Sequence, residues 1–219
     1  MLRHDRVYLR PQAVVASPCA APDSPAQAAL DAWLGANRPF VAARQAASGD
    51  RLALGLCLPL AQERRRLSLQ VVAGDIAAVL PPLGIDDCLD SLDAVDRSAL
   101  QSLQETLARC GVRVGVYGSL AWQTSSGEAY RRAGSDIDLI VDVDRRDQCA
   151  AALGALLEAD RRAASRIDGE LRFAGDLAVA WRELLPMLVG DVAGKVLAKG
   201  ERQVGLFAIG ELLARLSPA

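Results

Sequence analysis

Residues 112–144 read VRVGVYGSLAWQTSSGEAYRRAGSDIDLIVDVD, and the rest of the chain is organised around them. Val112, Val114 and Val116 recur at every second position, the period of a strand with one buried face. The run breaks at Gly118-Ser119 and passes through a segment of small and polar residues. It closes on Ser135-Asp136-Ile137-Asp138, at the mouth of a second apolar run, Leu139-Ile140-Val141. Side chains two apart on an extended segment share a face, so Asp136 and Asp138 project together. Paired carboxylate oxygens are hard donors suited to a divalent cation.

The Gly118-Ser119 break has its own chemistry. Glycine permits a sharp turn and close backbone approach, and a helix start offers free N–H groups to an anion. The Ser119 hydroxyl adds a donor, so a phosphate chain is the natural ligand. A Gly-Ser turn or an Asp-x-Asp pair alone is commonplace, as a plain turn or a solvated strand end. Both in this order, each attached to an apolar strand, point to phosphoryl chemistry in which the metal bridges phosphate oxygens and nucleophile.

Composition bounds the alternatives. The chain has 219 residues, 51% hydrophobic and 24% charged, which suits a soluble globular protein with one large or two small cores. A net charge of −2 argues against a protein held to nucleic acid by bulk charge. No apolar run is long enough to span a membrane, and Met1 to Arg6 lacks the apolar core of a signal peptide, so a cytoplasmic location is expected. Five scattered cysteines without a Cys-x-x-Cys pair, and the single histidine His4, speak against a Cys/His zinc site. The cysteines read as reduced, mostly buried thiols. A Ser-His-Asp group would need His4, so catalysis must run on carboxylates, bases and metal.

Outward from the central stretch, the first part is strand-rich. Arg6 to Leu9, Phe40 to Arg44, Leu52 to Leu58 and the alternating Leu67, Leu69, Val71 read as strands, and Ser24-Pro25 as the cap of a helix ending near Gly35. Gly74 to Asp87, with Pro81-Pro82, reads as a linker, giving domains 1–84 and 85–219. In the second part, Leu92 to Leu107 has a helical rhythm and Arg145 to Ala159 reads as a helix. Ala163 to Ile167 reads as a strand, Asp168-Gly169 as a two-residue hairpin turn and Glu170 to Phe173 as its partner. A largely helical portion is expected from Trp181 to Leu216, with Lys195 and Lys199 one helical turn apart. The fold class is α+β.

Gly118-Ser119 followed by Ser135-Asp136-Ile137-Asp138 resembles the signature of the polymerase-beta-like nucleotidyltransferase fold. That resemblance implies a mixed sheet flanked by helices and a third carboxylate on a later strand. Asp168 is the best match, with Glu170 as competitor and Asp176 a weaker one. The interval from Ser119 to Ser135 is longer than in most such enzymes, which suggests a specialised donor. Over nearly the whole chain, further segments agree with one family: Arg3-His4-Asp5, Pro39-Phe40-Val41, Arg64 to Arg66, Tyr117 to Gln123 and Ala178 to Glu183. In this order they resemble the malonate decarboxylase holo-acyl-carrier-protein synthases, or phosphoribosyl-dephospho-CoA transferases.

The family resemblance implies transfer of 2'-(5''-phosphoribosyl)-3'-dephospho-CoA from 2'-(5''-triphosphoribosyl)-3'-dephospho-CoA to a serine of the decarboxylase's acyl-carrier subunit, with diphosphate released. The resemblance implies two-metal-ion catalysis: Asp136 and Asp138 would hold the magnesium ions (Mg2+), and Asp168 would help position the second and deprotonate the nucleophilic hydroxyl. Gly118 and Ser119 would hold the phosphates. Arg131, Arg132 and Lys195 are candidates to grip the same phosphates, each also readable as a solvated charge. Trp122 and Trp181 read either as stacking partners of the adenine or as core. Arg64 to Arg66 read as a solvated face or as a greeting for an acidic carrier. Two other readings stay open: a nucleotidyltransferase moving AMP from ATP, and an inactive nucleotidyltransferase-fold binding module.

Overall fold

The computed structural model describes residues 1–46, 49–174 and 176–218. The chain forms two compact units, one made of residues 1–82 and 122–131, the other of residues 83–121 and 132–219. No helix among the described residues is long and apolar enough to cross a membrane.

In the first unit, β1 (Arg6–Leu9), α1 (Pro25–Gly35), β2 (Phe40–Ala42), β3 (Arg51–Cys57), β4 (Arg66–Val72) and β5 (Ile76–Leu80) follow in order. The strands form one antiparallel sheet in the order β4-β3-β2-β1-β5. The β4 alternation is borne out, with Leu67, Leu69 and Val71 buried and Ser68, Gln70 and Val72 exposed. Ser24 caps α1, its hydroxyl accepting from the Gln27 N–H at 3.2 Å with Pro25 in the first turn. Leu30 and Trp33 then pack with Phe40, Leu54 and Leu56. The expected linker from Gly74 to Asp87 is corrected here. Ile76–Leu80 is a strand paired with β1, because the adjacent strand supplies partners that local composition cannot show.

Residues 122–131 complete this unit's core. Tyr130 is fully buried, and its hydroxyl donates to the Cys57 carbonyl at 2.9 Å. Its ring stacks on Trp122 at 6.3 Å, and Trp122 meets Trp33 edge-on at 5.5 Å. The Arg38 guanidinium lies 5.0 Å from the Trp33 ring centre, pairs with Glu128 and donates to the Ser126 carbonyl at 3.0 Å. Of the two readings of Trp122, this packing supports core.

The second unit begins with the short helix α2 (Ile85–Cys88) and α3 (Ala94–Arg109), followed by β6 (Arg113–Tyr117), the first four residues of α4 (Gly118–Ser126), β7 (Ile137–Val143), α5 (Arg146–Arg162) and β8 (Ile167–Phe173). It continues through β9 (Ala178–Ala180), a 3-10 segment over Trp181–Val189, β10 (Lys195–Lys199), β11 (Val204–Ala208) and α6 (Ile209–Leu213). Its sheet runs β11-β10-β9-β8-β7-β6, antiparallel except for the parallel pair β7 and β8, which α5 connects. Leu100, Leu103 and Leu107 of α3 and Cys149, Leu153 and Leu156 of α5 bury one sheet face, with Leu139, Val141, Leu171 and Val179. The class is α+β, as expected.

Three expectations for this unit are overturned. Residues 163–166 form no strand, β8 beginning only at Ile167, because the Asp96 carboxylate and not a neighbouring strand takes the N–H groups of Ala164 and Ser165. Asp168-Gly169 is no turn: β8 runs unbroken through both, and its partner is β7 rather than its own tail. Gly169 has φ of 139°, and a Cβ there would stand 1.9 Å from the Leu139 carbonyl oxygen, so glycine serves close strand approach and not reversal. The C-terminal portion is helical only at Trp181–Val189 and Ile209–Leu213; between them lies a hairpin, with Lys195 and Lys199 on strand β10 and not on a helix. Lys, Leu and Ala favour helix locally, but pairing to β9 and β11 overrides the preference while Val196 and Ala198 fill the core.

Candidate active site

Strand β6 ends at Tyr117 and helix α4 starts on the next residue, a reversal that places Gly118 at φ of 69°. Antiparallel pairing sets Tyr117 opposite Asp138. The carboxylate of Asp138 then fills the space a side chain at position 118 would need: a Cβ there would lie 1.9 Å from Oδ2. The Gly-Ser turn and the second aspartate are thus in contact, although 20 residues separate them in sequence. Ser119 is buried beside them at the start of α4.

The parallel pairing of β7 and β8 puts Asp138 directly beside Asp168, with Ile140 beside Glu170 and Asp142 beside Arg172. Neighbouring strands lie roughly 4.8 Å apart, so the two aspartates share one end of the sheet face that the helices leave uncovered. Asp136 precedes β7 by one residue. Arg166 joins it to the pair, its guanidinium 3.7 Å from Asp136 Oδ2 and 3.7 Å from Asp168 Oδ2. Asp168 Oδ1 accepts from the Gly169 N–H at 2.9 Å. Among the described residues no three His, Cys, Asp or Glu side chains converge as a ready ligand set. The carboxylates stand as neighbours with a cation already among them.

The competitors of Asp168 are otherwise engaged. Glu170 is buried and pairs with Lys199 Nζ at 3.3 Å. Asp176 lies beyond the end of β8, where its carboxylate accepts from the Glu201 N–H. Further along the same face, Arg172 holds Asp142 at 2.6 Å and 3.1 Å, and Arg113 approaches Asp142 at 3.5 Å. Lys195 opens β10 in an exposed position, with β9 between its strand and β8. The backbone N–H of Arg131 donates to Gln123 Oε1 at 3.2 Å, and that of Arg132 to Ser135 Oγ at 2.8 Å.

Behind Asp168 the chain is held in part by residues that sequence reasoning passed over, Asp96 and Asp160. Asp160 Oδ1 accepts from the Ile167 N–H at 2.9 Å and from Arg182 Nη2 at 2.7 Å. Arg182 Nη2 and Trp181 Nε1 both donate to the Ile167 carbonyl, at 2.9 Å and 3.3 Å. The Arg182 guanidinium lies 4.3 Å from the Trp181 ring centre. Asp96, almost wholly buried, accepts from the Ala164 and Ser165 N–H groups at 2.9 Å and from the Ser165 hydroxyl at 2.6 Å. Trp181 is therefore core. The segment leading into Asp168 is clamped from both sides. Arg166, two residues before Asp168 and so on the same face, and Trp181-Arg182, within the Ala178 to Glu183 segment, left a trace in the sequence; nothing local marks Asp96 or Asp160.

A Gly-Ser turn and aspartates from two parallel strands thus meet at one end of the sheet. Residues 83–208 match the family model described as the phosphoribosyl-dephospho-CoA transferase MdcG C-terminal domain, and residues 2–82 the corresponding N-terminal domain. Among curated proteins, the chain is 35% identical over 183 residues to a phosphoribosyl-dephospho-CoA transferase of Xanthomonas campestris pv. campestris (strain 8004), covering 83% of this chain and 84% of the relative. The protein of that name from Bradyrhizobium diazoefficiens is 32% identical over 191 residues, covering 83% and 81%. No solved structure gives a significant match. The chain belongs to the phosphoribosyl-dephospho-CoA transferase family and is a transferase enzyme.

Proposed function

We propose that this enzyme transfers 2'-(5''-phosphoribosyl)-3'-dephospho-CoA from its 5''-triphosphate precursor to a serine of the apo acyl-carrier subunit of malonate decarboxylase. The observation that carries the chemistry is the juxtaposition of Asp138 with both Gly118 and Asp168. It brings a phosphate-accepting turn and two carboxylates to one end of a sheet face. Family membership supports the donor and the acceptor class.

The serine oxygen attacks the phosphorus bound to the ribose 5''-oxygen. The P–O bond to the outer two phosphates breaks, diphosphate leaves, and a phosphodiester to the carrier remains. Asp168 takes the hydroxyl proton, its carboxylate being 35% exposed and not buried as Glu170 is. The Gly118 turn and the Ser119 hydroxyl hold the outer phosphates. The donor set fits a hard cation: Asp136 and Asp138 offer carboxylate oxygens, and Gly118 leaves the room that the Asp138 carboxylate requires. Bound there, Mg2+ would neutralise phosphate charge and lower the pKa of the attacking hydroxyl. Acceptor and enzyme meet in the cytoplasm.

The test is release of diphosphate from the triphosphoribosyl precursor, measured with and without the carrier subunit and with Mg2+ or EDTA. The reading requires release that depends on carrier and metal and is lost in Asp136→Ala. Label from ATP appearing on the carrier without the precursor would instead favour AMP transfer.

A further inference from the structure

Asp160, Ala163, Ala164, Ser165, Arg166 and Arg182 line a cavity of about 520 Å³ that opens widely to solvent. It adjoins the candidate active site through Arg166, whose guanidinium reaches both Asp136 and Asp168. We propose that this cavity is an oxyanion subsite for phosphate groups of the donor, and that Arg166 is given up to it when a divalent cation takes over the Asp136 carboxylate. The inference rests on the cation reading of Asp136 and Asp138.

Three features carry it. Both contacts of Arg166 are long, and its side chain is 55% exposed, so the pairing is a weak, screened one that a doubly charged ion outcompetes. The flanking residues, by contrast, are fixed. Asp96 grips the backbone of Ala164 and Ser165, and Arg182 is tied to Asp160 and to the Ile167 carbonyl. Between these anchors the Arg166 side chain can exchange partners without backbone movement. Lastly, Arg182 lines the same cavity as Arg166, so two guanidinium-bearing side chains border it. A released Arg166 would give the cavity two guanidiniums against the single carboxylate of Asp160, the charge balance a phosphate recognises.

Binding alone tests the idea, without donor or acceptor. Mn2+ affinity is measured by paramagnetic resonance, and inorganic sulfate affinity by calorimetry, in the full chain and in Arg166→Ala. That substitution removes an exposed side chain and leaves the clamps intact. Removing the competing guanidinium should tighten Mn2+ binding about fivefold. In the native protein, saturating Mn2+ should raise sulfate affinity by about threefold or more, with sulfate raising Mn2+ affinity by the same factor. The coupling should vanish in Arg166→Ala. Displacement of bound sulfate by 3'-dephospho-CoA or by diphosphate supports the subsite and tells which phosphates it takes; displacement by neither contradicts it. Coupling that survives in Arg166→Ala would mean that sulfate sits on the metal, and overturns the proposal alone. Absence of any Mn2+ binding overturns the proposal together with the cation reading beneath it.

Discussion

The carboxylate of Asp138 lies where a side chain on Gly118 would have to be, with only 1.9 Å between Oδ2 and the position of a Cβ. Gly118→Ala must therefore displace the aspartate as well as strain a backbone at φ of 69°. A shift of about 1 Å in a catalytic group costs on the order of 100-fold in rate. That loss is expected in the transfer assay. Gly190→Ala is the control, with φ of 81° but nothing within 4 Å, so it shares the strain and should keep activity.

Gly169→Ala separates a strand from a turn. A methyl group there would meet the Leu139 carbonyl oxygen within the β7–β8 ladder, and the backbone cannot give way without losing pairing. Urea unfolding should show a loss of about 3 kcal/mol or more, or no folded protein at all. A mild effect would return Asp168-Gly169 to an exposed turn.

That glycine also shows where reading the chain runs out. The strands of the central stretch were legible because their apolar residues recur with period two, and the Gly-Ser and Asp-x-Asp motifs because each ends such a run. Asp168-Gly169 was misread because Asp-Gly between two apolar runs is a strong local signal for a hairpin, while the pairing with β7 is made across α5. Lys195 to Lys199 was misread for a related reason, its helix-favouring residues being outweighed by strands on either side. The Asp160–Arg182 and Asp96–Ser165 clamps join residues 22 and 69 apart. No local pattern encodes such pairs.

Tyr130→Phe removes the hydroxyl that donates to the buried Cys57 carbonyl and leaves that acceptor without the bond. A loss of roughly 1 to 2 kcal/mol is expected in urea unfolding, with the aromatic packing on Trp122 retained. No change in stability would mean that the carbonyl finds water instead.

Burial pushes the Cys149 thiol up from 9.0 to about 11, and burial likewise raises the Tyr130 phenol above its ordinary 10.0. The folded chain therefore binds the Cys149 proton more tightly than the unfolded chain does. Its stabilising effect is complete below pH 9 and is lost as pH rises toward 11, with Tyr130 adding to the loss in the same direction. Urea midpoints should fall from pH 8 to pH 10.5, and less steeply in Cys149→Ala. In the native protein a thiol reagent should modify the partly exposed Cys19 and Cys110 well before Cys149.

In the proposed reaction Asp138, seated on Gly118 and beside Asp168, serves transfer of the phosphoribosyl-dephospho-CoA group to a carrier serine. The most direct measurement is the intact mass of the purified apo acyl-carrier subunit after incubation with enzyme, Mg2+ and the triphosphoribosyl precursor. The expected result is a gain equal to the phosphoribosyl-dephospho-CoA group on one serine, lost when the enzyme carries Asp138→Ala. An unmodified carrier with the native enzyme, or full modification by Asp138→Ala, would contradict it.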